Sequence, residues 1–201
     1  LRTGAFSFKE KKSSSLNDVN LDYHTDKDTA RARIDKISMT PLIQESISKK
    51  HPSFQQIELE NPVIFASLRP GAKMDEPSDD EKKFQFETGL FRLNNGKINF
   101  AIHNESKSFQ YKTEYMDIYV NDIQVGKEKA ALSVGPFNML SKMFYVNIND
   151  SIELYNEKGK FEMAGNGLEL GSEKDIKAFH TSISLIKADS LNTSVINKKT
   201  G

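Results

Sequence analysis

The chain has 201 residues, with 28 basic and 28 acidic side chains and therefore no formal net charge. That length allows one large domain or two small ones. Nucleic-acid-binding domains usually carry a basic excess or stripe, so the balanced charge argues against nucleic acid as a partner. Cysteine is absent, which excludes disulfides, thiol catalysis and cysteine-bound metals.

The N-terminal part of the sequence predicts short strands separated by polar turns. Apolar and polar residues alternate over Gly4 to Phe8, over Leu16 to Tyr23 and over Arg31 to Met39. Within the last of these, Ile34 is out of phase with Ile37, and a β-bulge between the two would restore the phase.

Residues 41–50 predict one short helix. Thr40 would be its N-cap, Pro41 its first residue, and two lysines would fill its last turn. Strand-like alternation then resumes on both sides of Asn61-Pro62. Because proline cannot donate to a central ladder, this step marks an edge, a bulge or a junction between strands.

Residues 70–83 combine prolines, a glycine and a net acidic run, and they predict a mobile loop. A calcium site formed by these carboxylates is the alternative interpretation. The run lacks the alternate-position spacing and the glycine of an EF-hand loop, so the solvated loop is preferred.

From Phe84 onward almost every segment predicts a strand. Phe86 to Asn104 predicts a hairpin that turns at Asn94-Asn95-Gly96, and strands of about five residues follow it. The predicted fold class is all-β and mainly antiparallel, an elongated twisted sheet that is either trough-like or a sandwich. We expect a single elongated domain over residues 1–191 and a frayed polar tail over 192–201.

No catalytic or metal-binding motif is recognisable. His24, His51, His103 and His180 are scattered without acidic partners at ligand spacing. The glycines of residues 165–171 are not followed by a helix, which argues against phosphate binding. We therefore predict a protein without catalytic residues, metal or cofactor, and not an enzyme. An enzyme whose site is assembled from distant residues is the alternative, because the sequence does not reveal such a site.

The alternating strands instead predict one continuous apolar face. A single short helix covers only a fraction of such a face, and soluble monomers rarely expose large contiguous apolar patches. The face must therefore meet a second sheet, another copy or segment of the protein, or lipid, and alternation does not choose among these. The residues expected to line it are Phe91, Leu93, Ile98, Phe100, Ile102, Ile118, Val120, Phe144 and Val146.

Several features in the middle of the chain follow one another in a fixed order. A predicted strand leads into the short helix, with Pro41-Leu42 near its start. A strand of the type I-x-L-x-N-P-x-I follows, here Ile57 to Ile64, and a polar loop comes next. A strand pair containing an N-G turn, Leu93 to Ile98, completes the order. In this order of features the chain resembles the AsmA-like proteins of the Gram-negative cell envelope.

The resemblance implies a sheet curled into a trough, related to bridge-like, chorein-type lipid-transfer proteins. It implies a role in lipid transport or envelope homeostasis, with lipid acyl chains as partners and no catalytic residues. It also implies a periplasmic location, within a longer parent chain anchored to the inner membrane. The sequence begins without Met inside a strand pattern, and we expect it to be a piece of such a protein. The alternative is a structural or adhesive β-sandwich that binds protein partners through surface loops.

Overall fold

The computed structural model describes residues 13–25, 28–68, 85–103, 108–127, 130–172 and 175–195. These residues are mostly strand, so the all-β prediction is confirmed. Their elements are β1 (Ser14–His24), β2 (Thr29–Pro41), α1 (Ile43–Lys49), β3 (Ser53–Glu60), β4 (Val63–Leu68), β5 (Phe86–His103), β6 (Ser108–Lys127), β7 (Ala130–Val134), β8 (Phe137–Ile148), β9 (Ile152–Ser172), β10 (Asp175–Ala188) and β11 (Asn192–Val195).

All eleven strands belong to one sheet, and neighbouring strands are antiparallel except that β3 and β4 run parallel to β5. Two pairs of consecutive strands each share both neighbours, β3 with β4 and β7 with β8, while β10 and β11 both pair with β9 alone. The sheet is therefore eight strand positions wide, with β1 and β10 at its edges. The described strands form this single sheet, not the two facing sheets of the sandwich interpretation.

The predicted hairpin at Asn94-Asn95-Gly96 is wrong, because β5 runs straight through these residues. A two-residue hairpin turn of type I′ needs positive φ at both central residues, and of Asn95 and Gly96 only Asn95 has it, at 55°. β6 pairs with β5 on both sides of this point, with register shifts between Leu93 and Ile98. The Asn-Gly step is thus a β-bulge inside one strand.

The expectation of strands of about five residues is also wrong. β5, β6 and β9 contain 18, 20 and 21 residues. The polar steps that read as turns are interruptions within these strands. In β9 the pairing with β8 shifts register between Lys142 and Phe144, opposite the polar residues 156–160. Bulges absorb such polar residues without ending the strand.

The helix forms where the sequence predicts it, but its predicted capping is wrong. β2 extends through Pro41, and Leu42 is the N-cap residue, with no side-chain cap hydrogen bond. The Leu42 N–H donates to the carbonyl of Ser53 at 2.9 Å, which holds this segment against the next strand. Ile43 and Ile47 are 38% and 74% exposed, so the helix does not cover the sheet.

The described residues extend into the predicted tail. Asn192–Val195, at the start of that tail, form β11, which pairs with β9. The predicted strand at residues 4–8, the acidic loop at 70–83 with its calcium alternative, and the rest of the tail lie outside the described residues. Within the described part of the chain, no helix has the length and apolar character needed to cross a membrane.

Candidate functional site

A row of apolar side chains crosses the whole sheet. Residues that face each other in register on neighbouring strands project from the same side of a sheet, so this row marks one face, which we call the apolar face. Each member is the register partner of the next, from β1 to β10. The row consists of Leu16, Ile37, Leu59, Leu93, Ile118, Met139, Met163 and Ile186.

Parallel rows extend the apolar face on both sides of this one. Towards the start of β5, the next row is Met39, Ile57, Phe91, Val120, Phe137, Gly165 and Ile183. Towards the end of β5, one row joins Leu21, Ala32, Ile64, Ile98, Thr113 and Phe144. The next joins Tyr23, Ala30, Ala66, Phe100, Tyr111, Val146 and Leu154, and the last joins Leu68, Ile102, Phe109, Ile148 and Ile152.

Bulges keep these rows on one side of the sheet. In β5 the residues that face this side are two apart, except that Leu93 and Gly96 are three apart. The extra residue, Asn95, has positive φ. Its amide donates to the side-chain oxygen of Asn61, which also has positive φ, at 2.8 Å. Gly96 then lies against Leu93, because an added Cβ would come 2.5 Å from Leu93 Cδ2. A three-residue step through a left-handed residue thus returns the apolar side chains to the same face.

Three neighbouring polar side chains within this face hydrogen-bond to one another. The hydroxyls of Thr113 and Ser141 lie 2.8 Å apart, and the Tyr111 hydroxyl donates to Ser141 Oγ at 3.0 Å. Burial raises the pKa of Tyr111, against the opposing effect of these hydrogen bonds. The phenol therefore remains neutral, and this cluster brings no charge to the face.

Exposure varies along the apolar face. Leu93, Phe144 and Val19 on β1 are 3%, 5% and 2% exposed, whereas Tyr23 on β1 and Ile186 on β10 are 58% and 62% exposed. Most other residues of the rows are half-buried. A sealed two-layer core would bury most of these side chains completely. The half-buried and exposed members therefore leave part of this face accessible from outside.

The opposite side of the sheet, which we call the polar face, carries charged and amide side chains. Lys36 pairs with Glu60 at 2.8 Å, and Lys97 with Glu114 at 2.9 Å. The hydrogen bond to its partner carboxylate raises the pKa of each of these lysines. One face of the sheet is thus a continuous apolar surface and the other is solvated.

All of the residues predicted to line an apolar face lie on this one, as their positions in the rows show. Whether they contact lipid stays a prediction. Sequence reasoning missed several members of the rows, including Leu16, Ile37, Met139 and Met163. Each belongs to an alternating segment, but bulges and polar steps hide the fact that these segments share one face.

The most connected polar cluster lies where α1 meets the sheet. Burial alone would raise the pKa of Glu87, but hydrogen bonds from Lys49, Ser53 and His51 outweigh it and hold the pKa below its ordinary value. Ser53 Oγ donates to Glu87 at 2.8 Å, and His51 Nε2 lies 3.6 Å from the same carboxylate. Because the hydroxyl bonds to the carboxylate and not to the imidazole, the cluster lacks the nucleophile–base pair of a hydrolase. The hydrogen bonds of this cluster hold α1 against β5.

Comparisons with known proteins do not assign the chain to a family. No known protein-family model matches the chain, and no curated protein is significantly similar to it. Among the described residues, no group of three or more His, Asp or Glu side chains could hold a metal ion. The apolar face is therefore the candidate functional site, and the resemblance to AsmA-like proteins stays a prediction.

Proposed function

We propose that this chain is a non-enzymatic, β-rich module of the cell envelope that shelters lipid acyl chains along its apolar face. Its role would be lipid transport or envelope homeostasis. The observation that supports the proposal is the set of apolar rows crossing eight strand positions, with exposed residues at both edges. No second sheet covers this face within the described residues.

The dimensions of the apolar face suit an acyl chain. Neighbouring strands lie about 4.8 Å apart, so eight strand positions span about 34 Å between their outer rows. An acyl chain fills about half of a bilayer's hydrocarbon core, or about 15 Å. The face is therefore long enough for a chain to lie across the strands.

The energetics also favour lipid over water on this face. Each methylene group removed from water contributes about 0.8 kcal/mol. Burial of ten such groups contributes about 8 kcal/mol before the costs of ordering and association are subtracted. A face that covers only part of a chain can therefore retain it. As the resemblance implies, the module would act in the periplasm, within a longer parent chain anchored to the inner membrane.

Lipid carried through purification tests the proposal. The chain is expressed in a Gram-negative host, purified without detergent and examined by native mass spectrometry and lipid extraction. We expect co-purifying acyl lipids and saturable displacement of a fluorescent fatty acid. A protein that carries no lipid and leaves the probe bound to added vesicles would contradict the proposal, and would favour a module that binds protein partners through its loops.

A further inference from the structure

A shallow depression lies on the polar face, on the side of the sheet away from the proposed lipid site. It has a volume of about 490 Å³, which is within the range of small-molecule sites. Four side chains form its floor as successive register partners on β3, β5, β6 and β8. They are Glu58, Arg92, Tyr119 and Asn138.

The carboxylates and amides around this floor are held in place by hydrogen bonds. The amide of Asn94 donates to Glu58 Oε1 at 2.6 Å. The backbone N–H of Asn95 donates to Asp117 Oδ1 at 2.8 Å. These bonds fix the orientation of both groups, and Asp117 Oδ2 and the side-chain oxygen of Asn94 accept no hydrogen bond from another described residue.

Arg92 makes no ion pair with another described residue, and in this it resembles Lys112, which lies over the ring of Tyr145. Lys36, Lys97 and Arg31 each pair with a carboxylate within 4.0 Å. The Arg92 guanidinium instead lies over the ring of Tyr119, 5.5 Å from its centroid, although Glu58 is its register partner. Stacking on the ring orients the guanidinium. Arg92 and Asn138 make no side-chain hydrogen bond to any other described residue.

The chemistry of these groups selects the class of ligand. Two carboxylates and one guanidinium give the depression a net charge of about −1, which disfavours polyanions. Amides, carboxylates and a guanidinium together offer both donors and acceptors, as vicinal hydroxyls require. Tyr119, which is 41% exposed, adds an apolar ring surface for the C–H face of a sugar. We propose that this depression binds a neutral saccharide.

The spacing of the floor sets the size of the saccharide. Glu58 and Asn138 lie three strand spacings apart, which is about 14 Å. A short oligosaccharide of two or three units fits that length, with one unit over Tyr119 and its hydroxyls directed to the amides on either side. The inference is independent of the proposed lipid function, because it uses the opposite face.

Saturation-transfer NMR on the full chain tests the inference, with maltotetraose, cellotetraose and chitotetraose as neutral probes and heparin as a polyanion. We expect at least one neutral probe to bind. Tyr119→Ala and Asn138→Ala each lower its affinity by roughly tenfold, as loss of a good polar or stacking contact does. Tyr115→Ala is the matched control, since Tyr115 lies on the same strand and is 44% exposed but does not line the depression.

Several outcomes would overturn the inference. One is the absence of saturation transfer to every neutral probe. Another is binding of heparin alone, with a strong salt dependence. A third is equal affinity for the neutral probe in the wild type and in both depression variants. Asn138 is exposed, so its truncation leaves the fold intact and carries the test if Tyr119→Ala is unstable. Far-UV circular dichroism of each variant checks the fold.

Discussion

Replacing Phe100 with Asp separates an open apolar face from a sealed core. Phe100 is half-buried, and its ring centroid lies 6.4 Å from that of Phe109. Full burial of a phenylalanine contributes about 1.5–3 kcal/mol, so losing a half-buried ring costs about half of that, or about 0.8–1.5 kcal/mol. On an open face the new carboxylate stays hydrated and adds little. In a sealed core an unpaired charge adds about 3–5 kcal/mol, a large part of the 5–15 kcal/mol that stabilises a typical domain.

Urea unfolding and displacement of a fluorescent fatty acid together read out this substitution. We expect Phe100→Asp to unfold cooperatively at a modestly lower urea midpoint and to bind the fatty acid at least tenfold more weakly, because the charge lies among the methylene groups of the ligand. Tyr119→Asp is the matched control, since it makes a similar change on the polar face and should retain the fatty acid. The reasoning is refuted if Phe100→Asp is unfolded without urea, or if it binds the fatty acid like the wild type.

Three further substitutions test the packing and the pH dependence of the sheet by urea unfolding. Gly165→Ala places a methyl group against the ring of Phe137 and 2.6 Å from the backbone carbonyl oxygen of Ser182 and should cost about 1–3 kcal/mol; an unchanged midpoint would show that both neighbours move freely. Asn95→Val should be about 1–2 kcal/mol less stable than Asn95→Gly, since a β-branched residue tolerates positive φ poorly; equal midpoints would contradict the bulge. The pKa of Glu87 is lowered because hydrogen bonds, first that from Lys49, outweigh burial. The stability it contributes is therefore present above its unfolded pKa of about 4.3 and is lost as pH falls through the lower folded value. Between pH 7 and 3 the free energy of unfolding should therefore fall less in Glu87→Gln than in the wild type. Parallel curves of this free energy against pH would contradict a stabilising role for the hydrogen bonds to Glu87.

Alternation in the sequence was enough to predict which side chains share a face, but not how the strands continue. Leu93 and Ile98 were both assigned to an apolar face, and they do lie on it. For the step between them the sequence predicts a reversal of the chain, because Asn-Gly favours tight turns as well as bulges. The choice between these depends on whether a neighbouring strand pairs across the step. β6 pairs across the step. The sequence of the step itself does not show which strand will pair with it.

The parallel pairing of β3 and β4 with β5 was not predicted, although the sequence holds a signal for it. Parallel neighbours need a connection of a dozen or more residues. The chain between Leu68 and Phe86 is long enough to provide one. The shorter links, such as that between His24 and Thr29, suit antiparallel neighbours and join such a pair. Connection length therefore distinguishes the two kinds of pairing where alternation does not.

Because the described strands form a single layer, the two proposed sites are separated only by the backbone of that layer. Arg92 and Leu93 are consecutive residues of β5, yet Arg92 belongs to the depression and Leu93 to the apolar face. Substitutions on opposite faces share few contacts, so their effects on stability should add. A variant that combines Asn138→Ala with Phe100→Asp should therefore lose saccharide and fatty acid binding by the same factors as the single variants. Departure from additivity would mean that ligand on one face changes the curvature of the sheet, and hence the shape of the other face.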